Sequence, residues 1–430
     1  MKKVLIVTYY WPPSGGGGVQ RWLKFSKYLH EYGWQPIIFT PEDPDFPIKD
    51  PSLALDISEE TEVLKFPIWE PYTLFDNISG HSNKKNRQQG VLEGSGKSLF
   101  SGLSRWIRGN VFIPDPKVSW VRPSVAFLID YIRENSIEHI VTTGPPHSMH
   151  LIGLRLKMKS GVNWIADFRD PWVRWDMMKK YNLSWPAQRA HKKLESKVMQ
   201  GADAVITVSE TWANEIKKDH KNDAKVITNG FDPMDFEESA ANSVGDKFII
   251  SHSGLLNEFR NPQSIWTALR ELCQEDRDFA ELLQIEFCGM VDKQVLKVIH
   301  SDKILGPKFK FRDYVTHVEV LRIYNSSSVL LLLLNDTENA KGHLPGKLFE
   351  YLASNRNLLA IGDIGGDSSK IIRETKTGIT CDPKDVISIK KAISSFFTHF
   401  KNGTFPNSVS IKKYSRKTLT GKLVDVLEQL

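Results

Sequence analysis

Cysteine is scarce in this sequence. There are three in 430 residues, Cys273, Cys288 and Cys381, and they are scattered without the paired spacing of a metal site. Nothing here builds a disulfide framework or a thiolate-ligated metal centre, and the thiols read as reduced and mostly buried in a cytosolic protein. Long apolar runs are missing too. The longest, Val329 to Leu334, is far too short to span a bilayer. Met1-Lys2-Lys3 followed by Val4-Leu5-Ile6-Val7 has the outline of a signal peptide, but the run ends at once in Tyr9-Tyr10-Trp11-Pro12-Pro13. A buried first strand fits it better. There is no repeat of fixed period. The hydrophobic fraction of 40% and the charged fraction of 25% are those of an ordinary folded chain, not a disordered or fibrous one. A Gly-x-Gly-x-x-Gly loop with a lone acid on the next strand is absent as well, which argues against a nicotinamide dehydrogenase.

What is present is alternation. Short Val- and Ile-rich runs at 4–8, 36–40, 139–142, 163–166, 204–208 and 225–228 read as strands, and a second series follows at 248–253, 285–288, 308–311, 329–334 and 358–361. Helical patterns fall between most of them, for example at 20–32, 191–200 and 262–275. This implies an α/β protein with two parallel sheets covered by helices on both faces. The polar segment 237–246 is the expected boundary. The domains expected are 1–240, 241–410 and a last helix at 411–430 that returns to the first domain. Two such sheets facing each other would share a cleft at their strand C-terminal ends, where open α/β sheets bind ligands.

The net charge of +6 is concentrated. Residues 77–122 hold eight cations, Lys84, Lys85, Arg87, Lys97, Arg105, Arg108, Lys117 and Arg122, against Glu93 and Asp115. The segment 77–115 reads as a basic insertion, rich in Gly, Ser, Asn and Lys up to residue 97. Within it, residues 98–113 set Leu99, Phe100, Leu103, Trp106 and Ile107 at helical spacing beside Arg105 and Arg108. A short basic amphipathic helix of this kind fits an anionic membrane surface or its own domain. The stretch has too few interleaved aromatics for a nucleic-acid module.

Six motifs lie at strand ends. Ser14-Gly15-Gly16-Gly17-Gly18 follows the first strand, where Gly16 and Gly17 allow close backbone approach to an anion at a helix start, or simply a flexible turn. In Thr142-Thr143-Gly144-Pro145-Pro146-His147, His147 could bond a sugar hydroxyl, handle a proton or be structural, and His150 reads as structural. Asp167-Phe168-Arg169-Asp170 packs charge straight after a strand. Its three charged residues suit hydroxyl binding or acceptor orientation, and equally an internal salt bridge. Asn229-Gly230 reads as a tight turn at the crossover between domains. Ser253-Gly254 opens the second domain, and Arg260 just before a helix suits a diphosphate clamp. His343-Leu344-Pro345-Gly346-Lys347-Leu348-Phe349-Glu350 begins a helix. Lys347 near its N-terminus can neutralise phosphate, and Glu350 can accept bonds from a diol such as a ribose.

The order of the Gly-rich loop, Ala202-Asp203-Ala204-Val205-Ile206-Thr207-Val208-Ser209, Asn229-Gly230-Phe231-Asp232, Arg260-Asn261-Pro262 and Gly346-Lys347-Leu348-Phe349-Glu350-Tyr351-Leu352 resembles glycosyltransferase family 4, the group 1 bacterial enzymes of capsule and O-antigen clusters. The resemblance covers nearly the whole chain. It implies the GT-B fold and a retaining transfer from a nucleoside-diphosphate sugar, with no metal or other cofactor. The donor would lie mainly in the second domain and a glycan or polyprenyl-diphosphate-linked acceptor in the first. Arg260 and Lys347 match the family's basic diphosphate contacts, and His147 its first-domain histidine. Glu350 matches the second of its paired glutamates. The first glutamate's position is Gly342, which leaves the donor sugar to the backbone of loop 342–346 or to His343. The implied location is the cytoplasm, with peripheral contact at the inner face of the cytoplasmic membrane. The alternatives are a sugar-nucleotide 2-epimerase of the same fold, using carboxylates such as Asp167 and Asp170, and a degenerate partner subunit, on the strength of Gly342.

Overall fold

The computed structural model describes residues 1–46, 48–70, 99–237, 245–257, 260–335, 337–404 and 409–430. It divides into two compact units, Met1–Thr228 with Arg416–Leu430, and Asn229–Ser415. Most of the expected boundary segment, and Lys84, Lys85, Arg87, Glu93 and Lys97 of the basic insertion, lie outside the described residues.

The first unit is built on β1 (Lys2–Val7), β2 (Trp34–Glu42), β3 (Glu62–Pro67), β4 (His139–Gly144), β5 (Asn163–Phe168), β6 (Ala204–Thr207) and β7 (Lys225–Val226). All pair in parallel, in the order β3-β2-β1-β4-β5-β6-β7. Parallel strands need crossover helices, and these cover both faces of the sheet. The alternation of side chains across β1 shows the result. Leu5 and Val7 pack with Ile37, Phe39 and Trp164 on one face, while Val4 and Ile6 pack with Ile38, Val141 and Ile165 on the other. That is why these strands read as continuous apolar runs. The helix Arg416–Glu428 belongs to this unit. Its Leu419, Leu423 and Leu427 complete the second face beside Trp22 and Leu23 of helix Gly17–Leu29. On the first face, helix Ser148–Ser160 lies so close to the sheet that a Cβ on Gly153 would meet the Trp164 indole at 2.4 Å.

The second unit repeats the logic with β8 (Phe248–Ser253), β9 (Leu283–Cys288), β10 (Phe309–Arg312), β11 (Val329–Leu333), β12 (Asn357–Ile361) and β13 (Gly378–Cys381), ordered β10-β9-β8-β11-β12-β13. Phe248, Ile250, Val329, Leu331, Leu333, Leu359 and Ile361 meet helices Gln263–Glu275 and Val386–Lys401 in one core. In both sheets the chain steps outward one way and then returns past its starting strand. The reversals fall between β1 and β4 and between β8 and β11, and in open α/β sheets the ligand crevice lies at such a reversal, outside the strand carboxyl ends.

Two strands escaped the sequence reading, β3 and β13. Both are edge strands with one flank unpaired. Neither carries a long apolar run, because their side chains alternate or stay half-exposed. β13 begins at Gly378, where any Cβ would lie 1.9 Å from the Leu358 carbonyl oxygen, so only glycine lets this strand lie against β12. Among the described residues, no helix is long and apolar enough to cross a membrane.

Candidate functional site

The reversal point of the second sheet gathers a set of polar groups from several elements of that unit. Ser253 ends β8, and Gly254 follows at φ +120°, a conformation open to glycine. Gly289 sits at φ +122° beside it, so close that a Cβ there would lie 2.5 Å from the Gly254 carbonyl oxygen. A bare, tightly folded backbone edge results, and Lys347 lies against it. The Lys347 Nζ donates to the Ser253 carbonyl at 2.7 Å, and a Cβ on Gly254 would approach that Nζ to 3.1 Å.

Lys347 is the second residue of helix Gly346–Ala353. The first N–H groups of a helix have no partner within it, so they add partial positive charge where Lys347 already stands. The Lys347 amine is pushed down to about 7, first by burial and then by the Arg260 charge, with Glu350 opposing. Arg260 is itself held by Nε donation to Asn335 Oδ1, just past the end of β11. Two cations therefore face the same crevice, and one of them is held near neutrality by the other and by burial. An anion placed between them would relieve both.

Glu350 stands on the second turn of that helix. Its carboxylate is anchored from two sides. His317 Nε2 donates to Oε1 at 3.1 Å and Tyr324 Oη donates to Oε2 at 3.3 Å. With Glu350 as the final acceptor, a consistent chain runs from Tyr351 Oη through Ser253 Oγ (3.3 Å) to Tyr324 Oη (2.8 Å). Burial, followed by the Glu350 charge, raises the Tyr324 phenol well above its ordinary value, and Tyr351 is pushed up to about 12. Both stay protonated and serve as donors. No role for His317, Tyr324, Tyr351 or Asn335 was read from the sequence. His317 and Tyr324 share the helix His317–Ser326, while Tyr351 and Asn335 lie on other segments, and only the fold brings them to one point.

Gly254, Arg260, Gly346, Lys347 and Glu350 thus come together as a set. His343 lies three residues before Gly346, and its carbonyl accepts from Ser368 Oγ at 2.7 Å. Gly342 ends the short 3-10 helix Glu338–Gly342. His252 is buried behind the crevice, with Nδ1 at 2.9 Å from the Leu331 carbonyl, and burial with Lys347 holds its imidazole well below the usual range. Gly16 and Gly17 belong to the first unit.

In the first unit the motifs gather at the reversal between β1 and β4. Gly16, at φ +81°, precedes helix Gly17–Leu29. A Cβ on Gly16 or Gly17 would meet nothing within 4 Å, so this part of the loop has open space beside it. Arg169 does not reach outward. Its Nη1 donates to the Gly18 carbonyl at 2.9 Å, and its Nε lies 3.4 Å from the half-buried Asp170.

Asp167, expected from sequence to meet an acceptor, is turned inward. It is fully buried and accepts from Arg21 Nε and Nη2, both at 3.0 Å, from Trp22 Nε1 at 2.7 Å and from Thr143 Oγ1 at 2.9 Å. Arg21 Nη1 donates to the Thr228 carbonyl at 2.9 Å. Four donors consume the carboxylate, so it fastens helix Gly17–Leu29 to β4 and β5 instead of binding hydroxyls. Arg21 was missed because an arginine amid an apolar helix pattern reads as a surface residue.

His147 precedes helix Ser148–Ser160 and stacks on Trp172, with ring centroids 5.0 Å apart and 5° between planes. Asp115 accepts from the Ser148 N–H and Oγ, both at 2.8 Å, which pins this helix start. Burial, then the neighbouring His150 and Arg169, holds the His147 imidazole well below its ordinary value. At neutral pH it is uncharged. Its Nδ1 is buried without a hydrogen-bond partner among the described residues. His150 is buried, with Nδ1 2.9 Å from Thr142 Oγ1.

Residues 90–234 match the model of Glycosyltransferase Family 4. No curated protein matches the chain by sequence. Solved structures match over its whole length. Sucrose-phosphate synthase from Thermosynechococcus elongatus superposes with a TM-score of 0.66 at 13% identity, over 100% of this chain and 99% of that one. HepE of Anabaena in complex with UDP gives 0.64 at 12%, over 100% of both chains. A Listeria monocytogenes structure named for a UDP-N-acetylglucosamine 2-epimerase gives 0.58 at 11%, over 100% and 96%. At these identities the likeness establishes the fold, which is GT-B.

Proposed function

We propose that this GT-B glycosyltransferase, with its Family 4 segment at residues 90–234, moves a sugar with retention of configuration from a nucleoside-diphosphate donor to a glycan or lipid-linked acceptor in surface-polysaccharide synthesis. One observation carries the donor half of this reading. Arg260 and the half-neutralised Lys347 converge on a glycine-lined crevice beside an anchored carboxylate, Glu350. The paired cations suit a diphosphate, and the carboxylate, with oxygens held from behind, suits a ribose diol. The HepE complex with UDP supports uracil as the first base to test.

The chemistry follows from where charge moves. The bond between the anomeric carbon and the β-phosphate oxygen breaks, and negative charge builds on the departing diphosphate. Arg260, Lys347 and the N-terminus of helix Gly346–Ala353 meet that charge, and they hold it more tightly in the transition state than in the ground state. The ring becomes oxocarbenium-like. The acceptor hydroxyl attacks from the face the diphosphate leaves, forming the new bond to the anomeric carbon. Its proton passes to the leaving phosphate oxygen. Two protein cations stand where a divalent ion would otherwise balance the diphosphate, so the reaction is proposed to need no metal.

An epimerase would need cleft carboxylates, and the inward bonds of Asp167 remove half the pair it would use. Proton NMR of the reaction in excess EDTA distinguishes the readings. Retention at the anomeric centre with undiminished turnover is expected. An inverted product, loss of activity restored by a divalent ion, or a donor isomerised at C2 without transfer would each contradict the proposal.

A further inference from the structure

Ser253 ends β8 as a small polar residue that nothing in its local pattern singles out. In the fold every polar group it has is used. Its N–H donates to Tyr351 Oη at 3.3 Å, and its carbonyl accepts from Lys347 Nζ at 2.7 Å. Its Oγ lies 2.8 Å from Tyr324 Oη and 3.3 Å from Tyr351 Oη. Three elements meet on this one residue: the end of β8, helix Gly346–Ala353 with Lys347 and Tyr351, and helix His317–Ser326 with Tyr324.

The hydroxyl protons have to be shared out among these bonds. A carboxylate can only accept, so the Tyr324 proton goes to Glu350 Oε2, over 3.3 Å. Tyr324 Oη then accepts from Ser253 Oγ, Ser253 Oγ accepts from Tyr351 Oη, and Tyr351 Oη accepts from the Ser253 N–H. The relay leaves the Ser253 backbone and passes through its side chain before it ends on the carboxylate. Both phenol rings are buried, and they meet edge to face with centroids 4.9 Å apart. Rings packed this way cannot swing to solvent when a partner is lost, so each bond in the relay fixes the next.

Ser253 therefore touches both ends of the donor site. Its carbonyl holds the Lys347 amine at the phosphate end. Its hydroxyl reaches Glu350 through Tyr324 at the diol end, where His317 Nε2 secures the other carboxylate oxygen at 3.1 Å. Lys347 and Glu350 stand about one turn apart on the same helix, and Tyr351, the next residue, pins that helix to Ser253. We infer, resting on the donor-site reading above, that Ser253 is a positioning residue for the nucleoside-diphosphate donor: its hydroxyl, acting through Tyr324, holds the Glu350 carboxylate in the orientation that receives the ribose diol, while its carbonyl holds Lys347 for the diphosphate. A serine hydroxyl suits this task because it donates and accepts at one atom, which the relay requires. Alanine breaks the relay on both sides of that atom, and threonine keeps it.

Titration calorimetry with UDP, GDP, ADP and pyrophosphate on the full chain tests this. Ser253→Ala is expected to weaken the nucleotide that the wild type binds by about tenfold, and pyrophosphate, which occupies the phosphate end alone, by less than about twofold. Tyr351→Phe keeps the ring packing, removes one relay hydroxyl and should weaken the nucleotide by about threefold. Ser253→Thr should stay within about twofold of the wild type. On a Glu350→Ala background, Ser253→Ala should cost less than about twofold more, because nothing is left to position. Penalties that add in the double variant, that fall equally on pyrophosphate, or that threonine does not relieve would make Ser253 a packing residue and overturn the inference. If Ser253→Ala does not fold, Tyr351→Phe with and without Glu350→Ala supplies the same cycle, and additive penalties there overturn it equally. A wild type that binds none of the three nucleotides would remove the donor-site reading itself, and the role of Ser253 with it.

Discussion

Replacing Lys347 with Met is expected to weaken nucleoside-diphosphate binding by about 10- to 100-fold and to raise the melting temperature of the unliganded second unit. A charge-assisted bond to phosphate is worth about 1.5–3 kcal/mol, which sets the first figure. The second comes from burial. The Lys347 amine is enclosed beside Arg260, and its pKa falls to about 7 because charging it there is costly. In the unfolded chain the same amine ionises at about 10.4. Between these values the unfolded state binds more protons, so this group lets stability rise with pH and costs stability at neutrality. Methionine removes that cost and keeps the apolar stem, at the loss of one bond to the Ser253 carbonyl. A net gain of about 1–3 kcal/mol follows, which scanning calorimetry resolves. Turnover should fall further than affinity, by about a thousandfold, because the leaving charge is greatest in the transition state. A lower melting temperature with unchanged nucleotide affinity would make Lys347 a structural residue.

The second large effect belongs to the first unit. Asp167→Ala is expected to cost about 3–5 kcal/mol of stability, because it strands the Arg21 guanidinium in a dry interior and unpairs Trp22 and Thr143. Against a typical total of about 5–15 kcal/mol this is a large share, and urea unfolding should show the midpoint falling with little change in slope. An exposed Asp167 of the kind that binds an acceptor would cost almost nothing on removal. Full stability of Asp167→Ala with impaired transfer would therefore restore the acceptor role the sequence suggested.

These two residues also mark how far the sequence was readable. The strand-helix alternation and both sheets were legible because parallel strands buried on both faces must be apolar throughout. Edge strands β3 and β13 lack that signature, and one depends on a single glycine contact. Arg260, Lys347 and Glu350 were legible as a set because each lies beside a strand end or helix start, where local rules give charge a meaning. The carboxylate of Asp167 lies equally at a strand end, and nothing local distinguishes an outward from an inward one. Its partner, Arg21, is 146 residues away in the chain. The same holds for His317 and Tyr324, whose role appears only when their helix is brought against Glu350.

The central claim is that Arg260, Lys347 and Glu350 form the binding site of a nucleoside diphosphate. Titration calorimetry with UDP, GDP and ADP at about pH 8, in two buffers of different ionisation enthalpy, tests it most directly. In the unliganded protein the Lys347 amine is largely neutral at that pH. A diphosphate favours its charged form, so binding should take up close to one proton, and affinity should weaken as pH rises above about 7. The account predicts that one nucleotide binds with this proton uptake. The uptake should vanish in Lys347→Met, and affinity should drop in Glu350→Ala. Binding without proton uptake, or uptake unchanged in Lys347→Met, would place the diphosphate elsewhere and contradict the account.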